Sequence, residues 1–147
     1  MKLDIVYLND KCRLVKATDG SVGFDVRANI EKPIEIKAGK VATIPLGFKI
    51  DTKEAEVGMF LFIRSGIACK YGLILINSVG VIDSDYRGEC IAKIWNTGTD
   101  VDSHIINPYE RIAQVVFLKA EGIEFNEVDE LGSTDRGEFG FGSTGKG

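Results

Sequence analysis

The chain has 147 residues, 44% of them apolar and 27% charged, with a formal net charge of −4. That length suits one domain with a real core and is short for two, and the balance is that of a soluble globular protein. The acidic charge argues against a general nucleic-acid binder, and no apolar run approaches the ~20 residues that cross a bilayer, so neither nucleic acid nor membrane is an expected partner.

In chain order, the N-terminal "MKLDIVYLND" has no long apolar region followed by a small-residue cleavage site, and no secretory signal is read there. The segments "LDIVYL", "GFDVRANI", "PIEI", "KVATIPLGFKI", "VGMFLFI", "LILI", "CIAKIW", "RIAQVVFL" and "GIEF" are short runs rich in Val, Ile and Phe. Gly, Pro, Asn, Asp and Lys punctuate them at the spacing of an all-β protein. Many short strands with tight turns favour a jelly-roll-like antiparallel barrel or sandwich.

"RSGIACKYGL" breaks the strand pattern. Ser65 can cap a short helix over residues 66–71, and Gly72 can end it in the left-handed conformation. The helix start beside Arg64 would offer free N–H groups to an anion. Taken alone, the segment leaves both readings of Ser65 open, a plain cap or part of an anion site. The last sixteen residues, "GSTDRGEFGFGSTGKG", are glycine-rich and lack strand alternation, yet carry Phe139 and Phe141. Flexible linkers seldom carry aromatics, so the expected organisation is a β domain over 1–131 and a mobile arm over 132–147 that docks elsewhere.

"GFGSTGKG" nearly matches the phosphate loop of many NTPases, but Gly147 stands where that loop needs Ser or Thr, and no helix follows. What survives is the idea of backbone N–H groups and the Ser143 and Thr144 hydroxyls approaching an anion. His104 is the only histidine, in a segment that reads as a solvated loop. Cys12, Cys69 and Cys90 lack metal-type spacing and read as reduced thiols in a cytoplasm, a host's if the source is viral. Carboxylates remain as general bases. Asp25 lies in a strand-like run, and Asp83, Asp85 and Glu89 lie within "GVIDSDYRGEC". For any of these taken alone, a turn or an ion pair is the favoured explanation.

Five segments occur in order: "GSVGFDVRA", "RSGIACKYG", "NSVGVIDSDYRGE", "ERIAQVVF" and "RGEFGFGSTG". Together they resemble the five motifs of the trimeric deoxyuridine triphosphatase (dUTPase) family over nearly the whole chain. Ile63 stands where the second motif usually has proline, and Phe139 where the fifth usually has glycine. The resemblance implies a jelly-roll subunit in a homotrimer, with active sites shared between subunits and closed by the C-terminal arm. It also implies the reaction: dUTP and water give dUMP and pyrophosphate with Mg2+, keeping uracil out of DNA and supplying dUMP for thymidylate synthesis.

The resemblance assigns roles residue by residue. Asp83 would be the general base, with Gln114 assisting at the α-phosphate or the water. Tyr86 would pack on deoxyribose and exclude a 2′-hydroxyl. Asn77 and backbone groups around Gly80 and Ile82 would read uracil, with Val79 and Val81 walling the pocket. Arg64, Ser65 and Gly66 would bind phosphate, and Arg136 would clamp the terminal one. Phe141 would stack on uracil, with Gly142, Ser143 and Thr144 at the phosphates. Asp25 would bond to waters on the metal without touching it. Asp85, Arg87, Glu89, Arg111 and Trp95 are read as turn, ion-pair or packing residues. Two alternatives are weighed: a dCTP deaminase of the same fold superfamily, and a dUTPase-like protein serving as a regulatory nucleotide sensor.

Overall fold

A computed structural model of the chain describes residues 2–52 and 57–138. Its strands are β1 (Asp4–Tyr7), β2 (Phe24–Arg27), β3 (Ile34–Lys37), β4 (Val41–Pro45), β5 (Phe48–Asp51), β6 (Val57–Ile63), β7 (Leu73–Leu75), β8 (Gly80–Ile82), β9 (Ile91–Asn96), β10 (Ser103–Ile106) and β11 (Arg111–Lys119). Among the described residues a single α-helix, α1 (Ser65–Tyr71), joins β6 to β7, and a short 3-10 turn covers Asp10–Cys12.

All the strand pairs are antiparallel, and three of them are nested: β2 with β11, β3 with β10, and β4 with β9. A long hairpin folded over on itself gives that order, which is the jelly-roll-like arrangement expected. The largest sheet runs β2-β11-β6-β8, a second runs β4-β9-β7, and β1-β5 and β3-β10 form two-stranded ribbons. Alternation explains the core. In β6, Val57, Met59 and Leu61 turn inward, and in β9 Ala92, Ile94 and Asn96 do so. They meet Phe48, Ile36, Ile44, Leu73 and Ile112, all essentially inaccessible to solvent.

Several expectations need correction. "KVATIPLGFKI" is two strands, broken at Leu46–Gly47, where Gly47 takes φ 75°. "GIEF" is not a strand. No partner edge lies beside it among the described residues, and Ile123 and Phe125 are 70% and 93% exposed. β8 and β10 went unread because each is only three or four residues long and mixes polar residues or Gly with apolar ones. His104 therefore sits in β10 opposite Ile36, not in a solvated loop, with its ring 4.3 Å from that of Tyr71. Ser65 does not cap α1. Arg64 occupies the cap position and Ser65 is the first helical residue, while Gly72 ends the helix at φ 63° as expected.

The three cysteines are free thiols. Cys12 and Cys90 are buried, and loss of hydration pushes the Cys90 thiol up to about 12, with the nearby Glu89 charge adding to the effect. Cys69, on the outer side of α1, is exposed. Alkylation of the native protein near pH 8 is expected to label Cys69 first, with Cys12 and Cys90 modified only on unfolding. Peptide mapping of the labelled thiols checks this.

Candidate functional site

The residues singled out in the sequence fall into two groups. The first gathers where β2, β11 and the end of β6 meet. Gln114 in β11 lies directly across from Asp25 in β2, and β6 delivers Arg64 and then Ser65 to the same corner. These four side chains, with Gly23 and Phe62, line a cavity of about 470 Å³.

Asp25 organises this corner. It is 8% exposed, and its two carboxylate oxygens are taken by different arginines: Arg64 Nε at 3.2 Å from Oδ1 and Arg111 Nη1 at 3.0 Å from Oδ2. Arg64 Nη1 also donates to the Arg111 carbonyl at 3.2 Å. A buried carboxylate is tolerated when so paired. The two guanidiniums leave one positive charge in excess at this corner, and Arg64 presents it to the cavity, which favours an anion. Gly23 keeps the wall thin, since a Cβ there would approach Gln114 Oε1 to 3.0 Å.

Arg111, expected to be structural and not a direct ligand, forms an ion pair with Asp25. A shift in register between Arg111 and Ala113 interrupts its strand, and such bulges re-aim side chains. Here the side chain reaches Asp25, 86 positions away in sequence. No local signal in "ERIAQ" could have shown this.

The second group surrounds a smaller hollow of about 190 Å³ lined by Val81, Ile82, Asp83, Tyr86, Cys90 and Ile91. Asp83 follows β8 directly and is exposed. Its carbonyl accepts the Tyr86 N–H at 3.2 Å, closing a turn that brings the ring of Tyr86 back beside it. Asn77 lies outside both cavities, exposed at the tip of the β7–β8 connection, where Ser78 takes φ 62°. β8 ends its sheet, so its outer backbone edge is unpaired among the described residues. Gly66 opens onto solvent in the first turn of α1. Arg136 is exposed in the extended segment after β11, and Phe141, Gly142, Ser143 and Thr144 lie outside the described residues.

The residues read as scaffold behave so. Glu89 Oε1 accepts from Gly47 N at 2.9 Å, and Arg87 pairs with Asp51 at 2.9 Å.

The two groups lie at opposite ends of β6. Ile82 stands opposite Met59, so Asp83 lies toward the start of β6, while Arg64 follows its last residue. Met59 and Arg64 are five positions apart, about 17 Å of extended chain. Asp83 and the arginine corner therefore do not meet within one chain.

Among the described residues no three His, Cys, Asp or Glu side chains are grouped to hold a metal ion. Each Asp25 oxygen is already paired with an arginine. Each oxygen keeps a second lone pair, which suits hydrogen bonds from the water shell of a hydrated cation.

Comparison with known proteins gives a consistent picture. The dUTPase family model matches residues 11–145. A deoxyuridine 5′-triphosphate nucleotidohydrolase of Burkholderia cenocepacia is 40% identical over 99% of both chains, and one of Paraburkholderia phytofirmans is 41% identical over the same share. Among solved structures, the Staphylococcus bacteriophage 80alpha dUTPase with dUPNHPP superposes with a TM-score of 0.86 at 23% identity, covering 99% of each chain. The Streptococcus mutans dUTPase does so at 0.72 and 30% identity, covering 85% of this chain and all of its own.

Proposed function

This chain belongs to the dUTPase family, and from that premise we propose how it hydrolyses dUTP to dUMP and pyrophosphate. The observation that carries the reading is the pairing of an anion-holding corner, Asp25 with Arg64 and Arg111, with a hollow that has a carboxylate, Asp83, at its rim.

The triphosphate lies in the larger cavity, held by Arg64, Ser65, Gly66 and Gln114. Arg136 takes the terminal phosphate, with Ser143, Thr144 and the Gly142 backbone. Uracil meets the outer edge of β8, where backbone groups of Gly80 and Ile82 and the Asn77 amide match its acceptors and donor, beside Val81. Phe141 stacks on the base from the arm, and Tyr86 packs against the sugar. Asp83 orients a water and takes its proton as the water oxygen bonds to the α-phosphorus. The bond from that phosphorus to the bridging oxygen breaks, and pyrophosphate leaves with the electron pair. Asp25 would hold a hydrated magnesium ion by accepting hydrogen bonds from its water shell, and that ion would supply positive charge against the triphosphate. Most of the rate then comes from positioning and charge stabilisation.

Because Asp83 and Arg64 lie at opposite ends of β6, each site draws on more than one chain. That supports the homotrimer. So does the segment after β11, where Ile123, Phe125, Val128 and Leu131 are 52–93% exposed along one extended stretch. A lone subunit seldom leaves so much apolar surface to water. The arm over 132–147 closes over a bound nucleotide. The compartment is the cytoplasm, and among the described residues no helix is long and apolar enough to cross a membrane.

Pyrophosphate release tests the reading. With dUTP, UTP, dTTP and dCTP compared, dUTP is expected to be preferred by a wide margin, and chelation of magnesium is expected to depress turnover. Ammonia and dUTP formed from dCTP would instead indicate the deaminase.

A further inference from the structure

The loop between Asp83 and Cys90 is held in place from one side. The Tyr86 hydroxyl donates to the Glu89 carbonyl at 3.0 Å, which folds the ring back across Gly88. A Cβ at residue 88 would overlap that hydroxyl, so the folded ring needs glycine beneath it. The Glu89 side chain points the other way. Its Oε1 accepts from Gly47 N at 2.9 Å and from Asn29 Nδ2 at 3.3 Å, and Asn29 Oδ1 in turn accepts from Asn9 Nδ2 at 3.0 Å. The next residue continues the anchorage: Cys90 N donates to Phe48 O at 2.9 Å, and Leu46 N donates to Cys90 O at 3.0 Å.

One residue therefore joins the corner between β4 and β5 to the ring that meets the sugar. Its carboxylate fixes its backbone, and its backbone carbonyl fixes Tyr86. The other tether of the loop, Arg87 with Asp51, is more exposed at 54% and 26% and is screened by solvent. The Glu89 contact is charge-assisted and half-buried, and is the stronger constraint.

We propose that Glu89 is a positioning residue for sugar selection: through the Glu89 carbonyl it holds the Tyr86 ring where a 2′-hydroxyl would have to sit. This rests on the dUTPase reading. Excluding a single hydroxyl by packing is a weak form of discrimination unless the excluding group is rigid. Tyr86 is 45% exposed, and the hydrogen bond to the Glu89 carbonyl fixes the end of its ring over Gly88.

The test is kcat/KM for dUTP and for UTP in wild type, Glu89→Ala, Glu89→Gln and Tyr86→Phe, with thermal unfolding of each. Glu89→Ala is expected to raise the UTP-to-dUTP ratio about tenfold. Tyr86→Phe, which keeps the ring and removes only the donor, is expected to move the ratio the same way, and it decides the matter if Glu89→Ala does not fold. Glu89→Gln keeps an acceptor for Gly47 N–H and is expected to restore a ratio near that of wild type. A scaffold role alone would lower both substrates together. An unchanged ratio in Glu89→Ala or Tyr86→Phe, with wild type active on dUTP, overturns the inference and leaves the dUTPase reading standing. A wild type inactive on dUTP strikes that reading and this inference with it.

Discussion

Asp83→Asn is expected to slow dUTP turnover by about 10²–10⁴-fold, the usual worth of a general base, while nucleotide still binds. Arg64→Ala is expected to be comparably inactive, because it removes the guanidinium that lines the larger cavity and leaves Asp25 half paired. Mixing the two variants makes the prediction sharper. The two residues sit at opposite ends of β6, so on the proposed shared site Asp83 comes from one chain and Arg64 from another. Random reassembly after co-refolding then gives about one site in four with both groups intact. Mixed oligomers should recover a corresponding part of wild-type activity, although each parent is nearly inactive. No recovery in verified mixed oligomers would mean that the two groups work within one chain, and the shared-site reading would fail.

Deleting residues 132–147 is expected to leave the β domain folded and associated but to cut turnover by about 10²-fold or more. Among the described residues every strand ends by Lys119, and the segment 120–138 is exposed throughout, so loss of 132–138 takes nothing from the core. What it removes is Arg136, Phe141, Ser143 and Thr144, the groups assigned to close over the triphosphate and base. Misplacing a bound substrate by an ångström can cost two orders of magnitude. Circular dichroism and sedimentation should look like those of the full chain, while steady-state kinetics should not. Full turnover by the truncated protein would remove the arm from the mechanism.

What could be read from the sequence was mostly what is local. The helix after Arg64 was visible because glycine at position 72 is a local stop signal, and the left-handed φ there bears it out. Strands such as β6 and β9 were visible as short apolar runs bounded by polar and turn residues. Resemblance to the dUTPase motifs named candidate residues one by one, but it could not say which of them share a corner. That depends on register. Asp25 meets Arg111 only because β2 lies against β11 and a bulge turns the arginine, and neither fact leaves a trace in nearby residues. The same limit hid β10. His104 looked like a loop residue because its partner, Ile36, is far away in sequence. The apolar alternation of "GIEF" gave the opposite error, since the pattern reports a face to be covered and not which chain covers it.

The nested order of the strands has a consequence for how the protein is made. β2 pairs with β11, the last strand among the described residues, so the sheet that carries Asp25 and Gln114 stays open until the chain has been made through β11. Contacts this distant in sequence close slowly, on the millisecond-to-second scale common to β-rich domains. During synthesis, the early strands wait with unpaired edges, which is when sticky encounters between chains are most costly. The corner of Asp25, Arg64 and Arg111 thus forms only once β11 has joined β2.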